Sequence, residues 1–132
     1  MDAPTFPAIR RPITTDMVRL YCKVNGDSNM IHYDDETARA AGFPGAIVHG
    51  AITAAVISEA CREHFGPSWF DRGRLAVKFV KPLLVGENIS THGRLTGEEA
   101  DGGVRRETWE VWCQNEAGER VLVGEARGVI SG

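Results

Sequence analysis

The 132-residue chain has no apolar run approaching the length of a membrane span and no block of like charge. The first absence argues against a membrane protein. The second, with a net charge of −3 and scattered basic residues, removes the electrostatic footprint that nucleic acid requires. Cysteine is scarce. Cys22, Cys61 and Cys113 are odd in number and lack close metal-type spacing, as expected of reduced thiols in a cytoplasmic protein. The four histidines show no paired spacing and no surrounding carboxylate cluster, so no metal is expected. There is no glycine-rich phosphate cradle, and the N-terminus lacks the layout of a signal peptide. What remains, 42% hydrophobic and 25% charged, is ordinary globular composition, and the length suits a single domain over residues 1–132.

The most informative stretch is Gly26-Asp27-Ser28-Asn29-Met30-Ile31-His32. Its glycine, serine and asparagine favour a turn, which can bring Asp27 and His32 into one space where a regular helix or strand would separate them. A carboxylate and an imidazole around one water are the minimum equipment for adding or removing water. A second stretch, Val48-His49-Gly50-Ala51-Ile52, opens a long apolar segment whose helical N-terminus can hold negative charge.

In chain order, residues 1–12 read as a proline-rich arm with a short edge strand near Ala8-Ile9-Arg10. Thr14 or Thr15 caps a first helix whose apolar stripe is Met17, Leu20, Tyr21 and Val24, stopping near Asn25-Gly26. A short helix over Tyr33 to Ala41 is broken by Gly42-Phe43-Pro44-Gly45. The longest helix runs from about Gly50 to Phe65 and is apolar nearly all round, which marks it as buried. Strands follow: one through Leu75, Val77 and Phe79, then Asn88 to Thr96, Arg105 to Gln114, and Glu119 to Ile130. Turns fall at Gly97 to Gly103 and at Asn115 to Gly118. A buried helix against an antiparallel meander is an α+β arrangement.

Residues Tyr21 to His32 resemble the hydratase signature of the MaoC-like, (R)-specific enoyl-CoA hydratase family: an aromatic residue, then Gly-Asp-x-Asn, an aliphatic residue and His. Asp34 to Phe43, Ile47-Val48-His49-Gly50 and Val77 to Glu87 resemble that family's following segments in the same order. The resemblance spans roughly residues 14 to 130 and implies a hot-dog fold, an antiparallel sheet wrapped around a long buried central helix. It also implies interconversion of trans-2-enoyl and (R)-3-hydroxyacyl thioesters linked to CoA or acyl-carrier protein, with no separate cofactor. Asp27 and His32 then share catalysis, and the Gly50 N–H meets the thioester oxygen. Ser58 matches a position whose hydroxyl supports the carboxylate, balanced against a satisfied core hydroxyl. Asn29 shapes the turn or touches substrate, and His49 caps or packs at the helix mouth rather than reacting. Lys78, Lys81 or Arg74 would meet carrier phosphates. The resemblance implies a homodimer or higher homo-oligomer, as do the sheet's open edges. Asn25 and Met30 depart from the family pattern, which usually has a small residue and a proline there, and these changes bear on substrate range. Two rival readings are a hot-dog acyl-CoA thioesterase using Glu59, the only acid well inside the central helix, and a non-catalytic acyl-thioester-binding subunit.

Overall fold

In the structure, a computed structural model, residues 4–27 and 29–130 are described, apart from the side chain of residue 101. The first three residues of the arm, and Ser28 of the central turn, lie outside the described residues.

Strand β1 (Arg10–Pro12) leads into helix α1 (Thr15–Asn25). Thr14 caps α1 by accepting from the Met17 N–H at 3.2 Å, and Asp16 sits in the first turn where the helix dipole favours a negative charge. Gly26 ends it with φ of +75°, a conformation only glycine adopts cheaply, and returns its N–H to the Cys22 carbonyl. The buried face differs from the expected stripe. Val18 is fully buried, Met17, Tyr21 and Cys22 are half-buried, and Leu20 and Val24 are 62% and 77% exposed. The helix is turned so that its 17–18–21–22 face meets the core, a choice the apolar periodicity alone did not distinguish.

A 3-10 turn (Met30–His32) and helix α2 (Asp35–Ala40) follow. The loop beyond them is tied down twice. Asp35 Oδ1 accepts from the Ala46 N–H at 2.8 Å, and Val48 N–H donates to the Leu83 carbonyl at 2.8 Å. That loop delivers the chain into helix α3 (Gly50–Phe65), whose bounds match expectation. It is not buried on every side. Thr53, Val56, Ile57, Ala60, Cys61 and Phe65 are buried, while Ala51, Ala55 and Glu59 face outward. A short helix, α4 (Trp69–Arg72), was not foreseen; Trp69 stacks on Phe65 with ring centroids 5.4 Å apart.

The remaining strands are β2 (Arg74–Phe79), β3 (Asn88–Asp101), β4 (Val104–Gln114) and β5 (Arg120–Ile130). They form one antiparallel sheet in the order β1-β3-β4-β5-β2. Helix α3 lies across it, packing Ile57, Cys61 and Phe65 into a common core with Ile89, Trp109, Val111, Leu122 and Ala126. Burying a side chain of this kind is worth roughly 1.5–3 kcal/mol. The result is the α+β hot-dog arrangement expected of the sequence. It sets the N-terminus of α3 beside the turn that carries Asp27 and His32.

Candidate active site

The turn after α1 is held by its own side chains. Asn25 Oδ1 accepts from the Asp27 N–H at 2.8 Å, Asp27 Oδ1 from the Asn29 N–H at 2.9 Å, and Asn29 Oδ1 from the Ile31 N–H at 3.2 Å. Three successive Asx-type contacts bend the chain back on itself, the behaviour expected of these residue types. Ile47 N–H then donates to the Ile31 carbonyl, so the turn is sewn to the loop entering α3.

The Asp27 carboxylate and the His32 ring come together as expected, with Oδ2 and Nε2 3.6 Å apart. His32 Nδ1 lies 2.8 Å from the Ile47 carbonyl oxygen. A carbonyl only accepts, so Nδ1 carries a hydrogen, and in the neutral ring Nε2 presents its lone pair toward Asp27. The Asn29 N–H holds the Asp27 carboxyl below the usual carboxylate range. Desolvation, next in size, opposes this, and the nearby rings of His32 and His49 add to the lowering. The carboxylate borders an open cleft of about 490 Å³, lined also by Arg19, Cys22, Lys23 and Tyr33.

His49 is drawn in more closely than expected. Its side chain makes no capping bond to α3. Instead it is buried, stacks on His32 with centroids 3.6 Å apart and planes 20° from parallel, and brings Nε2 to 3.3 Å from Asp27 Oδ2. Burial, and next the neighbouring His32, push its pKa down, partly offset by Asp27. Tyr21 packs against its ring with centroids 4.6 Å apart. Burial and the Asp27 charge raise the Cys22 thiol nearby.

Gly50 opens α3 directly after His49 and also lines a second cleft, of about 500 Å³, with Phe79, Val80 and Lys81 among its walls. A Cβ at Gly50 would come within 2.9 Å of the Phe79 ring, so glycine is what lets that ring pack against the helix N-terminus. Asn29 is exposed, with its side-chain oxygen committed to the turn.

Other expected residues sit elsewhere. Ser58 lies about 12 Å along the helix axis from Gly50, at 1.5 Å per residue. Its Oγ accepts from Trp69 Nε1 at 2.9 Å, so within this chain its bond is to an indole and not to the Asp27 carboxylate. Glu59 stands on the outer face of α3, ion-paired with Arg11. Of the basic residues expected near a carrier phosphate, Lys81 lines the Gly50 cleft but is paired with Glu119, whereas Arg74 begins β2 at the far end of that strand.

Fold and site together define an α+β hot-dog domain with an acid–imidazole pair set against the N-terminus of its central helix. The family model described as "MaoC like domain" matches residues 3–116, and the chain belongs to that family. It is 36% identical over 124 residues to the 3-hydroxyacyl-thioester dehydratase X of Mycobacterium tuberculosis, covering 93% of this chain and 40% of that protein. Among solved structures it is similar to HtdX of Mycobacterium tuberculosis, with a TM-score of 0.69 and 32% identity over 95% of this chain and 48% of that one. The fold is shared with the (R)-hydratase of A. caviae at a TM-score of 0.81 and 19% identity, covering 100% and 98% of the two chains. The chain spans less than half the length of the dehydratase it matches.

Proposed function

We propose that the chain is a hydratase/dehydratase acting on acyl thioesters, interconverting trans-2-enoyl and (R)-3-hydroxyacyl forms carried on CoA or acyl-carrier protein. The observation that carries this reading is the pairing of Asp27 Oδ2 with His32 Nε2 across 3.6 Å, each ring or carboxylate fixed by a backbone group. That gap is too long for a direct bond and lets both atoms reach one water oxygen. In hydration an O–H bond of that water breaks, its oxygen bonds to Cβ, and a proton is delivered to Cα. The pair takes up one proton and gives up one, so the site is unchanged after the cycle. Charge that gathers on the thioester oxygen is met by the Gly50 N–H at the first turn of α3. Dehydration is the same path reversed. The names of the curated relatives agree with this chemistry.

The reading uses no metal and no cofactor beyond the thioester's own carrier. Asp27, His32 and His49 offer donor atoms within 4.8 Å of one another. A zinc ion needs nitrogen lone pairs converging at about 2.0–2.1 Å, and two rings stacked 20° from parallel aim theirs side by side.

The unit of function is taken to be residues 1–132 as one domain, cytoplasmic, and paired as a homodimer. Support for pairing is the open edge of β2, where Phe79 and the adjoining Val80 are 54% and 48% exposed. Sedimentation at the mass of one 14.4 kDa chain would contradict it. No helix among the described residues is long and apolar enough to cross a membrane.

The test is to mix purified protein with a short trans-2-enoyl-CoA and follow the conjugated thioester absorbance and the released thiol together. Loss of absorbance with a 3-hydroxyacyl-CoA product is expected. Free thiol would instead identify a thioesterase, and binding without turnover a non-catalytic subunit.

A further inference from the structure

His49 and His32 are two stacked rings that both turn Nε2 toward the same carboxylate oxygen, Oδ2 of Asp27. On His32, Nδ1–H is committed to the Ile47 carbonyl, so in the neutral ring Nε2 carries the lone pair. On His49 the assignment is reversed. Its Nε2 faces Asp27 Oδ2 at 3.3 Å, and an ionised carboxylate only accepts, so the hydrogen belongs on Nε2. Its Nδ1 is buried with no hydrogen-bond partner among the described residues. A hydrogen there would be a stranded donor, while Nε2 would turn a lone pair toward a negative oxygen. Cys22 Sγ, 3.5 Å from the same Nε2, can share that hydrogen.

We infer that His49 is a positioning residue: its Nε2–H fixes Oδ2 of Asp27 opposite His32 Nε2, while the ring itself stays neutral. The inference rests on the hydration reading above. Asp27 Oδ1 is already held by the Asn29 N–H, so His49 supplies the second point that stops the carboxylate from rotating. Without it Oδ2 is free to swing toward the open cleft, where Arg19 and Lys23 wait on α1. The groups facing Asp27 are therefore His32 from the 3-10 turn, His49 from the α3 entry, and Cys22, Arg19 and Lys23 from α1, with Tyr33 across the cleft. His49 is held between His32 on one side and Tyr21 on the other, and its burial disfavours a charge. It is thus a donor that does not exchange protons with substrate.

Two variants separate the hydrogen bond from the packing. His49→Phe keeps a flat ring for the stack and removes the donor; His49→Gln replaces the ring with an N–H of similar reach. In His49→Phe, kcat for a short trans-2-enoyl-CoA is expected to fall on the order of 10²-fold, with KM little changed, the loss typical of a displaced reacting group. His49→Gln should recover most of it. The Asp27 midpoint, read from its carboxyl carbon by NMR and from the acid limb of kcat/KM, should rise in the Phe variant and not in the Gln variant. If the Phe variant fails to fold, ring-nitrogen shifts of wild-type His49 decide the point directly, with Nε2 protonated and Nδ1 bare as the expected pattern. A bare Nε2, or a Phe variant with wild-type kcat and an unmoved Asp27 midpoint, overturns the inference. Absence of turnover in the wild type would instead overturn the hydration reading, while the ring-nitrogen pattern still reports whether His49 donates to Asp27.

Discussion

Glu107 is a carboxylate only 5% exposed, bonded to His64 and Trp109 at the far end of α3 from the candidate site. Its Oε1 accepts from His64 Nε2 at 2.7 Å and Trp109 Nε1 at 2.9 Å, and its Oε2 from Arg105 Nη2 at 3.1 Å. Burial alone would raise its pKa, but the bonds from His64 and Trp109 and the charges of His64 and Arg105 outweigh it, so the carboxyl stays below its usual value. A depressed folded-state pKa stabilises the fold above the unfolded value, and the contribution is lost as pH falls through the folded one. Glu107→Leu strands the Trp109 indole N–H and the His64 ring N–H, while the exposed Arg105 keeps Glu98, and is expected to cost about 3 kcal/mol in urea unfolding near neutral pH. Glu107→Gln should cost less and flatten the acid side of the stability profile. A Leu variant as stable as wild type would remove the network from the account. Within the candidate site, the approach of Asp27 to His32 was legible in the sequence because one local turn joins them. The His49 contact was not, since it depends on Val48 pairing with Leu83 and Ile47 with Leu84, both distant in the chain. The expectation for Ser58 came from the family resemblance, and its bond from Trp69 Nε1 fits the alternative weighed beside it, a satisfied hydroxyl.

Among the strands, Gly124 marks where backbones must approach most closely. A Cβ there would lie 2.2 Å from the Ala76 carbonyl oxygen, and a backbone atom held in the β2–β5 ladder cannot retreat as a side-chain tip can. Gly124→Ala is therefore expected to cost more than about 2 kcal/mol, beyond the range of ordinary surface changes. A melting point equal to wild type would show that β2 yields. Helix α3 was readable in full because sixteen residues with few polar positions before Arg62 run from Gly50 to the breaker Gly66-Pro67. Strand β3 was not, for the opposite reason. It continues through Gly97, where its register with β4 shifts, to Asp101, so a segment rich in glycine and acid that reads as a turn is paired strand. The true turn is Gly102-Gly103, both at positive φ. Helix α4 is four residues long and held by Trp69 packing, too short to leave a periodic signal.

Taken whole, the molecule uses its sheet order to make a site. Strand β2 follows the long helix yet lies beside β5 at one edge, while β1 occupies the other beyond β3. Nothing in chain order announces that crossover, and the resemblance of four ordered stretches supplied what hydrophobic patterning did not. The crossover lays α3 against the sheet and brings its first turn to the Asp27–His32 turn. The central claim is that those two side chains act as one unit. It is tested most directly by kcat/KM for a short trans-2-enoyl-CoA in Asp27→Asn, His32→Ala and the double variant, each checked for a wild-type melting profile. Each single change is expected to lower the rate on the order of 10²–10⁴-fold. The double variant should fall no further than the worse single, because a unit already broken cannot be broken twice. Losses that multiply, or an Asp27→Asn protein within about tenfold of wild type, would contradict a shared role for the pair.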